Sequence, residues 1–152
     1  MRVTRWILAA TVSLFLVACD DDGGIGPSTT PSLTGTWSGM IGPPMSGTAL
    51  RLTWQATQTG NNVTGPAILI KPANNVPVNG VLDGTLAGAE LSLRYTAQGG
   101  TVTGFPTCVV SGTGSATLSG NSISGNLSTT FTSCAGTGLE PPATTQLSLT
   151  RQ

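Results

Sequence analysis

Ser119-Gly120-Asn121-Ser122-Ile123-Ser124-Gly125 is the stretch that points most directly to the fold of this chain. It shares the pattern Ser/Thr, Gly, Asn, any residue, aliphatic, Ser/Thr, Gly with Thr59-Gly60-Asn61-Asn62-Val63-Thr64-Gly65. A Gly-Asn pair tolerates the positive φ that two-residue β-turns require. Both stretches therefore predict tight hairpins, and Ala87-Gly88 predicts a third.

Each turn fixes a register, because correct pairing should place apolar residues opposite one another on one face of the hairpin. The pairs expected on that face are Leu118 with Ile123, Ala116 with Gly125, Gly114 with Leu127, Val110 with Phe131, Ala56 with Gly65, Trp54 with Ala67, Leu52 with Leu69, Leu86 with Ala89, Gly84 with Leu91, and Leu82 with Leu93. Ser and Thr dominate the other face. Each hairpin is thus expected to bury one side.

No helical period is present after Leu33, and short alternating runs recur between Gly, Asn and Pro. The predicted strands are 34–41, 48–58, 63–71, 78–86, 89–97, 107–118, 123–132 and 144–151. Tight and long connections alternate along the chain. In a meander the tight turns therefore lie at one end, which we call the trimmed end, and the long connections lie at the other, which we call the loop-rich end. Closing eight strands removes the sheet edges. The sequence predicts an all-β, eight-stranded antiparallel up-and-down barrel over residues 33–152, with a β-sandwich as the alternative.

Leu33-Thr34-Gly35-Thr36-Trp37 resembles the opening Gly-x-Trp strand of the calycins, the barrel group that includes lipocalins and avidins. The alternation of tight and long connections is also similar to that of the lipocalin meander. In lipocalins a basic residue of the last strand packs over this Trp at the closed end. The resemblance therefore implies a lipocalin-like barrel in which Arg151 packs over Trp37.

The N-terminal segment has the features of an export signal. Arg2 and Arg5 precede an apolar run of 12 residues from Trp6 to Val17, too short to cross a bilayer. Leu16-Val17-Ala18-Cys19 resembles the bacterial lipobox, which implies cleavage before Cys19 and acylation of its thiol and new amino group. The alternative is an ordinary secretory signal with a chance cysteine.

These features divide the chain into a lipoprotein signal peptide over 1–18, a lipidated cysteine with a flexible linker over 19–32, and the barrel. We expect a protein anchored by lipid, palmitate included, to a membrane of the bacterial cell envelope, on its periplasmic or surface face. Several acyl chains hold a protein on a membrane stably, whereas one does not.

The other two cysteines, Cys108 and Cys134, form an even pair in an oxidising compartment, which predicts a disulfide bond. The Gly120-Asn121 register sets Cys108 opposite Ser133 and turns Cys134 to the other face. We therefore expect a β-bulge near Thr132 or Ser133.

Composition excludes several functions. Charged residues make up 8% of the chain, against about 25% in ordinary domains, and only four basic residues follow position 18, so nucleic acid is not an expected partner. The chain contains no histidine, which removes the usual general base and the commonest metal ligand. Asp83 and Glu90 should form a surface charge cluster near Arg94. We expect no enzymatic activity, catalytic residue, metal or cofactor.

Two functions remain open. In the first, the loop-rich mouth binds a small apolar ligand, and the candidate lining is Leu50, Leu52, Trp54, Leu69, Leu91, Leu93, Tyr95, Val110 and Phe131. In the second, the barrel is filled, and the protein has a structural role or interacts with another envelope protein. The volume of the barrel interior distinguishes these two functions. The small residues expected to face inward leave a cavity or let the barrel close; they are Gly65, Ala67, Gly84, Gly112, Gly114, Ala116 and Gly125.

Overall fold

The computed structural model describes residues 31–42, 49–102, 107–134, 136–137 and 144–152. The predicted signal peptide, Cys19 and the linker as far as residue 30 lie outside these residues. The strands are β1 (Gly35–Ile41), β2 (Leu50–Thr59), β3 (Asn62–Lys71), β4 (Val76–Ala87), β5 (Glu90–Val102), β6 (Val109–Ser119), β7 (Ser122–Thr132) and β8 (Thr145–Arg151). They close in chain order into one antiparallel barrel. The predicted up-and-down barrel is confirmed.

The three tight turns share one geometry. Gly60, Gly88 and Gly120 have φ values of 60°, 63° and 58°, and each is the first residue of its two-residue turn. The second residue of each turn has no positive φ. This is the pattern of a type II′ turn, whose first central position favours glycine because a side chain there would be strained.

Two of the three predicted registers are confirmed. Trp54 pairs with Ala67 across β2 and β3, and Leu118 pairs with Ile123 across β6 and β7. The apolar members of these pairs face the barrel interior, and the outward positions carry mainly Ser, Thr and Asn.

The register of the β4–β5 hairpin was predicted wrongly by two residues. Leu86 pairs with Leu91 rather than with Ala89, and Leu82 pairs with Tyr95 rather than with Leu93. The turn is Gly88-Ala89, because a type II′ turn requires its glycine in the first position. A shift of two residues preserves the alternation of strand faces, so the predicted apolar face still points inward.

Candidate functional site

The barrel interior contains the residues proposed as a ligand lining. Eight of them are between 0% and 4% exposed, and Phe131 is partly buried against the same core. Side chains with so little exposure border neither bulk solvent nor an internal space that holds water. Protein atoms therefore surround Trp54, Tyr95 and their neighbours on all sides.

Backbone atoms of the neighbouring strand occupy the space beside the inward-facing glycines. A Cβ added at Gly65 would overlap the carbonyl oxygen of Gln55 on β2, and one at Gly125 would overlap that of Ser115 on β6. A Cβ at Gly112 would lie 2.7 Å from Cγ2 of Thr129 and 2.8 Å from the carbonyl oxygen of Ser128. These glycines let neighbouring strands approach closely, and the space that a side chain would occupy is taken by the adjacent strand.

The trimmed end is closed by the segment that enters β1. The guanidinium carbon of Arg151 lies 4.9 Å from the ring centroid of Trp37, which is the contact that the calycin resemblance implies. Trp37 donates its indole N–H to the carbonyl oxygen of Leu33 at 2.7 Å, and Leu33 is itself fully buried. Arg151 also donates to the carbonyl oxygens of Ser32 and Thr34. The closure of this end by Leu33 was not predicted, because a single leucine before the first strand belongs to no alternating pattern.

Cys108 and Cys134 are joined by a disulfide at the loop-rich end, with their Cα atoms 4.4 Å apart. The β6–β7 ladder is regular as far as the pair Val109 and Thr132, so the change of face predicted near Thr132 or Ser133 is not made by a bulge in the ladder. Ser133, just beyond the ladder, has a φ of 58°. This left-handed residue turns the chain and brings Cys134 to the face of Cys108.

A hydrogen bond crosses the loop-rich mouth. Asn74, in the β3–β4 connection, donates its side-chain amide to the carbonyl oxygen of Thr137, which follows β7. β3 and β7 lie on opposite sides of the barrel, separated by three strands in either direction. Thr137 is 1% exposed, and both its amide and its hydroxyl donate to the carbonyl oxygen of Cys134. We call Cys134, Gly136 and Thr137 the strap, since they link the disulfide to the far rim.

Tyr95, Trp54 and Thr129 place polar side-chain groups in the barrel interior. Tyr95 donates its hydroxyl to the carbonyl oxygen of Val78 at 2.8 Å, and burial raises the pKa of this phenol above its usual range. Trp54 Nε1 and Thr129 Oγ1 are buried without a hydrogen-bond partner among the described residues. Thr129 and the strap were not singled out from the sequence. Alternation between Leu127 and Phe131 places Thr129 on the inward face and could have identified it, whereas the strap depends on residues far apart in the chain.

The charges of the outer surface are confined to part of the barrel. Asp83 and Arg94 are directly opposite on β4 and β5, and Thr64 donates its hydroxyl to Asp83 at 2.5 Å. The expected cluster does not include Glu90, which pairs with Ala87 at the turn, four residues along β5 from Arg94. Glu90 accepts a hydrogen bond from Thr117 at 3.3 Å. In contrast, β1, β6 and β7 contain no charged residue. A groove of about 460 Å³ lies at this neutral side, where β8 closes onto β1.

Comparison with family models, with curated proteins and with solved structures gives no match to this chain. The class of fold therefore rests on the architecture, which is an eight-stranded antiparallel barrel consistent with a calycin-like fold. None of the described segments forms a helix long and apolar enough to cross a membrane. Within the same ranges, no three His, Cys, Asp or Glu side chains are grouped as metal ligands.

Proposed function

We propose that this chain is a lipid-anchored, non-enzymatic protein of the bacterial cell envelope whose packed barrel acts as a scaffold through its outer surface. The observation that carries the proposal is the filled interior, in which eight of the nine candidate lining residues are 0% to 4% exposed. A side chain packed on all sides contributes to stability and has no surface left for a ligand.

Both ends of the barrel support the same conclusion. Leu33 and Arg151 cover the trimmed end, and the hydrogen bond between Asn74 and Thr137 spans the loop-rich end. A ligand entering through the mouth would have to displace the strap. The binding surface of such a protein is then its exterior, and the partner is an envelope component.

The lipid anchor rests on the resemblance of Leu16-Val17-Ala18-Cys19 to the lipobox, and the disulfide is consistent with an oxidising compartment. We expect Cys19→Ala to abolish labelling by a fatty acid analogue in growing bacteria and to release the protein from membranes or leave the precursor uncleaved. Cys108→Ala is the matched control and should still be labelled. Labelling of the Cys19→Ala protein would contradict the anchor.

A second candidate function, binding of a small apolar molecule in the mouth, is favoured by one observation. The unpaired Trp54 Nε1 and Thr129 Oγ1 inside the barrel are polar groups that a ligand could satisfy. Titration with fatty acids and hydrophobic dyes tests it, because an apolar molecule that enters the barrel would change the emission of Trp54. Trp54→Phe, which leaves Trp37 as the barrel tryptophan, is the control. We expect no change for the packed barrel, and a saturable change lost in Trp54→Phe would favour ligand binding.

A further inference from the structure

We propose that the groove at the β8–β1 seam binds a neutral glycan, by which we mean an uncharged oligosaccharide chain. This inference rests on the proposed function in one respect, that the barrel acts through its exterior. The groove has a volume of about 460 Å³, within the range of small-molecule sites. Its walls include Ser38, Met40, Ser124, Gln146, Ser148 and Thr150.

Several polar side chains of the groove are uncommitted, whereas Thr150 donates its hydroxyl to the carbonyl oxygen of Ser38 at 3.4 Å. Ser124, Gln146 and Ser148 are exposed, and their side chains make no hydrogen bond to any described residue. Hydroxyl and amide groups both donate and accept hydrogen bonds. A ligand rich in hydroxyls needs such groups, because each of its hydroxyls donates and accepts hydrogen bonds with water that the protein must replace on binding.

The absence of charge in the groove selects a neutral ligand. No lining residue is ionisable, and Arg151, the charged residue of β8, is held over Trp37. An ionised ligand placed here would lose hydration without gaining a counter-charge. Met40 is partly exposed at the same site and offers an apolar surface to the C–H face of a sugar ring. Hydroxyls beside a small apolar surface suit a glycan better than an anionic lipid or a nucleic acid.

The backbone holds the groove in shape. A Cβ at Gly39 would overlap the carbonyl oxygen of Ser148, so β1 and β8 approach one another closely along the groove floor. At the loop-rich end of the seam, Gly42 donates its amide to the carbonyl oxygen of Gln146 at 2.7 Å. Because the closed ladder fixes the floor, little conformational freedom is lost on binding, which favours affinity.

The test is an NMR titration of the isotope-labelled protein, purified from the envelope in detergent micelles, with chitohexaose and maltohexaose. An anionic oligogalacturonate serves as the charged comparison. We expect a neutral oligosaccharide to shift amide signals of residues 38–42 and 146–150 with an affinity that does not change with salt. Saturable binding of the anionic glycan alone, or shifts confined to other strands, would overturn the proposal.

Ser148→Trp should fill the groove and weaken binding by about tenfold or more. Ser92→Trp is the matched control, since Ser92 is an exposed outward residue of β5, on the side of the barrel opposite β1. The amide spectrum of each variant reports whether the barrel is intact. Ser148→Ala, which keeps the groove open, should retain binding within about threefold if the other polar groups hold the ligand. Equal affinity in Ser148→Trp and Ser92→Trp, or no binding of either neutral probe, would refute the site without affecting the lipid anchor, which is tested separately by labelling.

Discussion

Tyr95 is the single tyrosine of the chain, and its burial makes the stability of the barrel sensitive to alkaline pH. Desolvation raises its pKa in the folded protein above the value of about 10 that it has when unfolded. The stabilisation from the neutral phenol is therefore fully present below about pH 10 and is lost as the pH rises through the higher folded pKa.

We predict that Tyr95→Phe removes part of this alkaline loss of unfolding free energy, although it costs about 1 kcal/mol at neutral pH through the hydrogen bond to Val78. Denaturant titrations of both proteins from neutral to alkaline pH measure the difference. The absorbance of tyrosinate reports Tyr95 alone. Ionisation of the folded protein near the usual tyrosine pKa would contradict the prediction.

At the scale of elements, the disulfide joins the start of β6 to the chain after β7, across a sequence separation of 26 residues. Closing a loop of this size stabilises a protein by about 3 kcal/mol in the chain-entropy model. We predict that the double variant Cys108→Ala, Cys134→Ala loses about this much unfolding free energy.

Chemical denaturation measures that loss. A reduced but otherwise unaltered protein is the control for the two small cavities that the alanines leave, because Cys108 and Cys134 are 0% and 8% exposed. Two reactive thiols in protein isolated under non-reducing conditions would show that the pair is not joined in the cell.

At the scale of the whole molecule, the strap connects two opposite sides of the loop-rich mouth. The hydrogen bond from Asn74 to Thr137 joins residues 63 positions apart on opposite sides of the barrel. We predict that Asn74→Ala speeds hydrogen exchange of the Thr137 amide about fivefold, as expected from losing about 1 kcal/mol.

The Ile123 amide, at the opposite end of the barrel, should exchange at an unchanged rate and serves as the internal reference. Asn62→Ala, which alters an exposed asparagine at the trimmed end, is the matched variant. Equal exchange of Thr137 in the three proteins would show that the strap does not depend on Asn74.

The strand order and the inward faces were predictable from the sequence because their causes are local. The cysteine pair was predictable because Cys108 and Cys134 are the two cysteines that remain beside Cys19. Gly60, Gly88 and Gly120 specify tight turns, and strict alternation then decides which side chains point inward. All nine candidate lining residues were correctly assigned to the inward face for this reason. The β4–β5 register was missed because Ala87-Gly88 and Gly88-Ala89 both contain the required glycine.

Tertiary structure alone decided whether the barrel was hollow. Gly65 and Gly125 are compatible with a cavity or with close strand approach, and the position of the neighbouring carbonyl groups distinguishes the two. The strap and the β8–β1 groove depend likewise on residues far apart in the chain. Alternation and turn chemistry act over a few residues, whereas interior volume and contacts across the mouth are set by how eight strands close together.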